Sequence, residues 1–134
     1  MTMLDEMIKL ARAAQKKAYA PYSSFNVGAC LRTETGTLHA GANVENASYP
    51  QSQCAEASAI GAMIAAGARK IVEVVVIGDG DGLCTPCGGC RQRLNEFATP
   101  DTPVHICDSE GLRRTFTLGE LLPGAFGPNN LDAV

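Results

Sequence analysis

The sequence predicts one layered α/β domain that spans residues 1–134. Segments with helical spacing of apolar residues alternate with short segments rich in Val, Ile and small residues, which is typical of helices packed on a sheet. Neither an internal repeat nor a linker interrupts this alternation. A chain of 134 residues also buries roughly two-thirds of its unfolded surface, which is enough for a core without disulfides.

An amphipathic helix is predicted over about the first 18 residues, ending before Pro21. Its apolar residues recur at helical intervals, namely Leu4, Met7, Ile8, Ala11, Ala14 and Ala18. After this segment the helical spacing of apolar residues ends. Residues 25–32 and 38–42 flank a turn-rich stretch at 33–37, and this arrangement predicts a β-hairpin.

Residues 54–66 are small and apolar almost all round, which predicts a helix that is buried on most faces. In so small a domain, burial of this extent suggests contact with a neighbouring subunit. The remaining predicted elements are a polar loop over 43–53, a central strand over 71–77, a helix over 87–97 that Pro86 opens, and strands over 102–107 and 112–116.

Charge and composition favour a small-molecule partner. The formal net charge of −3 and the aromatic content of 5% argue against a nucleic-acid binder, which needs a basic face and stacking platforms. No segment approaches the ~20 apolar residues of a membrane span, and the first ten residues lack the apolar run of a signal peptide. We therefore expect a cytoplasmic protein with reduced thiols, a small metabolite as substrate, and no membrane or nucleic-acid partner.

Two short segments carry the residues that point to chemistry, Cys54-Ala-Glu56 and Pro86-Cys-Gly-Gly-Cys90. Together they supply three thiolates and one carboxylate, Glu56. Three protein ligands leave one position of a tetrahedral zinc open for water, which distinguishes a catalytic zinc from a structural one. The cysteines lie at predicted helix starts, where the dipole favours anionic sulfur. The spacing predicts a catalytic zinc with Glu56 as the proton carrier.

Cys84 leaves another kind of site open. With Cys87 and Cys90 it forms a C-x-x-C-x-x-C run that could close the zinc with a fourth thiolate, giving a binding module rather than an enzyme. A ferredoxin-type cluster is disfavoured because Leu94 stands where its next cysteine is needed. A thiol-redox protein is disfavoured because bound zinc would occupy the nucleophile. Four residues in predicted strands are expected to be structural rather than ligands: Cys30, Cys107, His39 and His105.

Longer motifs cover most of the chain and carry a family resemblance. They are Ala20-Pro-Tyr-Ser-Ser-Phe25-Asn-Val-Gly-Ala29, Asn43-Val-Glu-Asn-Ala-Ser-Tyr49, Cys54-Ala-Glu56, Pro86-Cys-Gly-Gly-Cys-Arg-Gln92 and Leu121-Leu-Pro-Gly-Ala-Phe126. With these motifs the chain resembles the small, homotetrameric cytidine deaminases, whose zinc signature is His or Cys followed by x-Glu and later by Pro-Cys-x-x-Cys. Cysteine at position 54, where dimeric relatives carry histidine, favours the tetrameric branch.

The resemblance implies a three-layer α/β/α fold with a mixed five-stranded sheet. It also implies hydrolytic deamination of cytidine and 2′-deoxycytidine to uridine and 2′-deoxyuridine with release of ammonia, in pyrimidine salvage. The resemblance implies that Cys54, Cys87 and Cys90 hold one zinc ion per subunit and that Glu56 transfers protons. It implies that Phe25 and the backbone of Ala55 line the base pocket, and that Asn43 and Glu45 contact the sugar. It also implies that Tyr49 and Phe126 complete a neighbouring subunit's site in the homotetramer.

One position departs from the family pattern. Many tetrameric members carry arginine directly after the catalytic glutamate, where it offsets the charge of the thiolates, but this chain has Ala57. We expect the two helix N-termini to compensate, assisted by Arg91 or another nearby cation. An alternative within the same chemistry is a deaminase of another aminated nucleoside or of a nucleoside antibiotic, which would share the zinc motif but need a different pocket.

Overall fold

Five strands form one mixed sheet: β1 (Val27–Thr33), β2 (Leu38–Ala42), β3 (Ile71–Gly78), β4 (Pro103–Asp108) and β5 (Gly111–Thr117). Their order is β2-β1-β3-β4-β5. Only the β3–β4 pair is parallel within this sheet, and the other neighbours are antiparallel. The computed structural model describes residues 1–131, so the last three residues of the predicted domain, 132–134, lie outside the described residues.

Within residues 1–131, four α-helices accompany the sheet: α1 (Met3–Gln15), α2 (Ala55–Ala65), α3 (Gly88–Phe97) and α4 (Leu118–Leu121). Short 3-10 turns span Tyr49–Gln51 and Pro128–Leu131. The apolar stripe of α1 packs on one face of the sheet, and α2 and α3 pack on the other. The predicted three-layer α/β/α fold with a mixed five-stranded sheet is confirmed.

Helix α1 begins as its sequence dictates but ends earlier than predicted. Thr2 and Asp5 form a capping box, in which each side chain accepts a hydrogen bond from the other residue's backbone N–H. The helix ends at Gln15 because the following residues pair elsewhere: the Tyr19 N–H donates to Asn43, and Tyr19 forms a bridge with Val44. This pairing fastens the start of the 43–53 loop.

Strand β3 is central, as its continuous apolar run predicts. Val74 and Val76 face the core beneath α2, while Val75 and Ile77 face α1. Burial on both faces explains why the strand shows no polar alternation.

A glycine allows α2 to lie close to the sheet. A Cβ atom at Gly41 on β2 would be 2.4 Å from the backbone nitrogen of Ala59 in α2. A side chain at this position would therefore push the helix away from the sheet. Gly41 thus sets the distance between α2 and the sheet, and with it the position of the helix start at Cys54.

One face of α2 stays exposed within a single chain, and its burial by a neighbouring subunit remains a prediction. Gly61, Ala62 and Ala65 are exposed, because the sheet covers only the face that carries Ala59 and Met63. The exposed face is built of small residues.

No helix among residues 1–131 has both the length and the apolar character needed to cross a membrane.

Candidate active site

Three cysteine sulfurs converge where α2 and α3 begin. The Sγ atoms of Cys54, Cys87 and Cys90 all lie within 4.8 Å of one another, and those of Cys54 and Cys87 are 3.7 Å apart. Two sulfurs that each bind a tetrahedral zinc at ~2.3 Å are separated by roughly 3.8 Å, so this spacing fits zinc. A disulfide would require ~2.05 Å, and all six cysteines are free thiols. The cluster is able to hold a zinc ion.

Each of the two helices begins at a cysteine. Cys54 is the N-cap of α2, with φ −74° and ψ 159°, and Cys87 is the N-cap of α3, with φ −66° and ψ 167°. Cys90 lies in the first turn of α3 and is fully buried. The positive ends of both helix dipoles therefore lie at the sulfurs and favour their thiolate forms.

The thiols of Cys54 and Cys90 differ in acidity. A hydrogen bond with Cys90 lowers the pKa of Cys54 to about 6, and Cys87 and the positive charge of Arg93 act in the same direction against burial. The same bond, followed by burial and by the negative charge of Glu56, raises the pKa of Cys90. Cys54 therefore ionises before Cys90, and metal binding to the sulfurs must release the protons that remain on them.

Cys84 lies outside this cluster. Its side chain packs over Gly78 at the end of β3, where a Cβ atom would come within 2.5 Å of the Cys84 sulfur. Burial, followed by the negative charge of Glu56, raises the pKa of Cys84 to about 11, so this residue is a neutral thiol at neutral pH. Within residues 1–131 the side chains grouped for metal binding are the other three motif cysteines alone. This arrangement disfavours the closed four-cysteine site.

Glu56 is a buried carboxylate beside the sulfurs, with 4% of its surface exposed. Residues two apart on a regular helix point about 200° away from each other. This angle does not apply to Cys54 and Glu56, because Cys54 has an extended backbone and precedes the helix, whereas Glu56 lies in its first turn. Burial, followed by the negative charge of Cys54, raises the pKa of Glu56 despite favourable contacts with its own backbone N–H, Cys90 and Arg93.

Asn43 connects the polar loop to the start of β1. Its Oδ1 accepts a hydrogen bond from the Val27 N–H at 2.9 Å, and its Nδ2 donates to the Phe25 carbonyl at 2.8 Å. One N–H and one oxygen lone pair remain for a ligand. The Phe25 ring lies beside Gly78, with Cε1 3.5 Å from the position of a Cβ atom there, and the residue is 40% exposed. Asn43 thus positions the backbone that carries Phe25.

Glu45 is held by the loop that precedes β1. Its Oε1 accepts hydrogen bonds from the backbone N–H groups of Tyr22 and Ser23 at 2.9 and 3.1 Å, and its Oε2 accepts one from the Ser23 hydroxyl. The Ser23 hydroxyl is the largest cause that lowers the pKa of Glu45, and the two N–H groups add to it. Glu45 is therefore a fixed, ionised acceptor with about one lone pair left, on Oε2.

An open cleft of about 310 Å³ lies beside Glu45 and is lined by Tyr22, Ser23, Glu45, Tyr49 and Ser52. The rings of Tyr22 and Tyr49 are 5.7 Å apart and tilted by 60°. The volume is in the range of small-ligand sites. Tyr49 is 71% exposed, so this wall of the cleft faces solvent.

The two remaining residues predicted for the substrate site, Ala55 and Phe126, differ in burial. Ala55 is fully buried as the first residue of α2. Phe126 is 56% exposed, while its carbonyl accepts hydrogen bonds from the side chains of Gln92 and Asn95 on α3. The Phe126 backbone is thus anchored, and its ring is left on the surface.

Sequence reasoning missed two partners of the site. Ser23, which binds Glu45, lies in the motif of residues 20–29, but its partner is distant in the chain. Arg93 donates a hydrogen bond from Nη1 to the sulfur of Cys90 at 3.9 Å. Its helical i,i+3 spacing from Cys90 was the signal that could have revealed it.

Comparison with known proteins places this cluster in a family. The family model for the cytidine and deoxycytidylate deaminase zinc-binding region matches residues 1–106, which include all three cysteines and Glu56. The cytidine deaminase of Sporosarcina psychrophila is 38% identical over 129 residues, covering 96% of this chain and 95% of that protein. The cytidine deaminase of Halalkalibacterium halodurans is 40% identical over 126 residues, covering 94% and 96%.

The fold agrees with this assignment. The crystal structure of cytidine deaminase from Burkholderia pseudomallei aligns with a TM-score of 0.87 at 44% identity, covering 94% of this chain and 100% of that chain. The structure of the enzyme from Mycobacterium leprae aligns with a TM-score of 0.75 at 42% identity, covering 89% and 96%. The chain is a zinc-binding enzyme of the cytidine and deoxycytidylate deaminase family.

Proposed function

We propose that this protein hydrolyses cytidine and 2′-deoxycytidine to uridine and 2′-deoxyuridine, releasing ammonia. The observation that carries the proposal is the buried carboxylate of Glu56 beside three sulfurs spaced for zinc. The thiolates of Cys54, Cys87 and Cys90 would hold the ion, and three protein ligands would leave one position for water. When zinc is bound, it supplies acidification of that water, whose pKa falls from ~15.7 toward ~7.

Glu56 moves protons between the water and the substrate. Burial raises the pKa of Glu56 above its ordinary value, which favours uptake of a proton by this carboxylate. Glu56 takes the proton of the water and delivers it to N3 of the cytosine ring, which makes C4 more electrophilic. The oxygen of the deprotonated water bonds to C4, and Glu56 then moves the remaining proton of that oxygen to the amino group. The C4–N bond breaks, and ammonia leaves as the C4 carbonyl of uridine forms. Burial keeps bulk water from competing for these protons.

Different residues position the base and the sugar of the substrate. Phe25 packs against the base, and the backbone at Ala55 faces the base carbonyl. Asn43 and Glu45 bind the sugar hydroxyls with the hydrogen-bonding capacity that their own backbone contacts leave free. A nucleoside is favoured over free cytosine because these polar groups would go unpaired without the sugar.

The active enzyme is a homotetramer in this proposal. Tyr49 and Phe126 present exposed rings, and each completes the site of a neighbouring subunit. The exposed small residues of α2, Gly61, Ala62 and Ala65, supply a flat surface for helix packing between subunits. Sedimentation of the purified protein tests this assembly, and a monomer with full activity would overturn it.

The protein serves pyrimidine salvage in the cytoplasm in this proposal, acting on free nucleosides rather than on nucleic acid. The acidic net charge of −3 supports this, because a nucleic-acid substrate would favour a basic surface.

Ammonia release from a panel of substrates tests the proposed reaction. The zinc-loaded protein is mixed separately with cytidine, 2′-deoxycytidine, cytosine and adenosine. We expect rapid release from both cytosine nucleosides and little from the free base. Turnover of adenosine alone would assign another aminated nucleoside as substrate, and no release from any compound would contradict a deaminase.

A further inference from the structure

The proposed zinc site carries an excess of negative charge. A zinc ion with three thiolates has a single net negative charge, and the carboxylate of Glu56 lies beside it. Electron-rich sulfur also weakens the metal as a Lewis acid. Ala57, the residue after Glu56, brings no charge to the site. A cation from elsewhere in the chain is needed to offset this charge.

Arg91 directs its guanidinium at neutral acceptors around a loop and not at the sulfurs. Its Nε donates to the Pro86 carbonyl at 2.7 Å, its Nη1 donates to the Leu121 carbonyl at 2.9 Å, and its Nη2 donates to the Thr85 hydroxyl at 3.1 Å. These bonds tie the loop before α3 to the end of α4. The expectation that Arg91 assists the thiolates is therefore replaced by a clamping role.

Arg93 lies on the same helix and reaches the sulfur of Cys90. Its Nη1 donates a hydrogen bond to the Cys90 sulfur at 3.9 Å. Cys90 and Arg93 are three residues apart, which brings their side chains to one helix face. The guanidinium occupies the space above Gly89, where a Cβ atom would lie 3.0 Å from Nη1. The absence of a side chain at Gly89 leaves room for this contact.

We propose that Arg93 is a positioning residue of the zinc site, which offsets the charge of the thiolates through Cys90 in place of an arginine at position 57. This inference rests on the zinc site of the proposed function. The guanidinium lowers the free energy of the negatively charged, zinc-loaded site. It also withdraws electron density from Cys90, which preserves the acidifying power of the metal.

Zinc affinity of matched variants tests the proposal, measured by competition with a chromophoric chelator. Arg93→Met removes the charge and keeps most of the apolar stem, and Arg93→Lys keeps the charge. Arg69→Met is the control, because Arg69 is an exposed arginine on the loop after α2. We expect Arg93→Met to weaken zinc binding about tenfold, at the low end for outer-shell partners because Arg93 is exposed. Arg93→Lys is expected to recover most of this loss, and Arg69→Met to bind zinc as the wild type does.

Salt separates a charge effect from a structural one. The deficit of Arg93→Met is expected to shrink as ionic strength rises, because salt screens an exposed charge. Fully zinc-loaded Arg93→Met is further expected to show a lower kcat with an unchanged KM for cytidine. Thermal unfolding identifies any variant that fails to fold, and Arg93→Gln then takes the place of Arg93→Met.

Three results would overturn the role of Arg93: zinc affinity unchanged in Arg93→Met, no recovery in Arg93→Lys, or an equal loss in Arg69→Met. Failure of the underlying site looks different. If the wild type binds no zinc or releases no ammonia from cytidine, then the proposed function fails. If the wild type does both and Arg93→Met matches it, only this inference fails.

Discussion

The sulfurs of Cys54 and Cys87 lie 3.7 Å apart although the two residues are 33 positions apart in the chain. Each cysteine caps a different helix, so the distance depends on how α2 and α3 pack on the sheet. The separation matches the roughly 3.8 Å expected for two thiolates on one tetrahedral zinc. The packing of α2 and α3 therefore sets the spacing of these two sulfurs.

Replacing single cysteines separates ligands from bystanders. Cys87→Ser removes one sulfur of the cluster, and we expect the purified protein to lose its bound zinc. Cys84→Ser is the matched control, because Cys84 packs over Gly78 outside the cluster. Metal analysis is expected to find one zinc per chain in Cys84→Ser. Loss of zinc from Cys84→Ser would instead favour the closed four-cysteine site.

The Ser23–Glu45 contact is expected to govern nucleoside binding. Ser23→Ala removes the hydroxyl that donates to Glu45 and the acceptor of the Phe25 N–H. The carboxylate is then less firmly oriented toward the sugar, and we expect the KM for cytidine to rise about 3- to 10-fold, the equivalent of one modest hydrogen bond, with a smaller change in kcat.

Ser48→Ala is the control for this experiment, because Ser48 is exposed and its side chain makes no capping hydrogen bond. Steady-state kinetics on cytidine compare the two variants. Equal KM values in the wild type and Ser23→Ala would show that Glu45 needs no support from Ser23.

The close approach at Gly41 is expected to couple stability to the metal site. Gly41→Ala places a methyl group 2.4 Å from the backbone of α2, and backbone cannot yield as a flexible side chain does. We expect a loss of about 2–3 kcal/mol in the free energy of unfolding, together with weaker zinc binding, because the helix that begins at Cys54 must move.

Gly82→Ala is the matched control, since a Cβ atom at Gly82 meets nothing within 4 Å. Its stability is expected to stay within about 0.5 kcal/mol of the wild type. Urea unfolding measures both variants. A Gly41→Ala protein as stable as Gly82→Ala would show that α2 lies farther from the sheet.

A carboxylate on the α1 side of the sheet is expected to make stability depend on pH. Glu73 Oε1 lies 2.8 Å from Arg32 Nε, and its Oε2 lies 2.7 Å from His105 Nε2. Burial opposes ionisation of Glu73, but these hydrogen bonds outweigh it and hold its pKa below the ordinary value of 4.5. The stabilisation is therefore complete above that ordinary pKa and is lost as the pH falls through the lowered pKa.

Glu73→Gln tests the direction in which Glu73 makes stability depend on pH. We expect the variant to be about 1–3 kcal/mol less stable at pH 7 and the difference to shrink on acidification toward pH 3. Glu34→Gln, at an exposed glutamate, is the control. A deficit of Glu73→Gln that stays constant down to pH 3 would contradict the assignment of the pH dependence to Glu73.

The elements that local pattern determines were predictable, and those that depend on distant partners were not. The apolar run at 71–77 predicted the central strand, and Pro86 marked the start of α3. The end of α1 was misplaced because the pairing of Tyr19 with Val44 ends the helix, and a pattern cannot show that pairing. Helix α4 has four residues, too few for a periodic signal.

The same division applies to the site. The cysteine spacing predicted the sulfur cluster, because metal ligands occur at helix starts with characteristic separations. The partners of the functional residues depend on packing across the fold. Ser23 meets Glu45 through two loops that only the folded sheet brings together, and the different directions of Arg91 and Arg93 follow from the helix face that each occupies.

A zinc titration of cytidine turnover tests the central claim most directly. Metal-free protein is titrated with zinc while uridine formation is followed, and Glu56→Gln is titrated in parallel. The account predicts that activity rises linearly to one zinc per chain, and that Glu56→Gln binds the same zinc but is slower by about 10²–10⁴-fold. Cytidine turnover without zinc, or undiminished turnover in zinc-loaded Glu56→Gln, would contradict it.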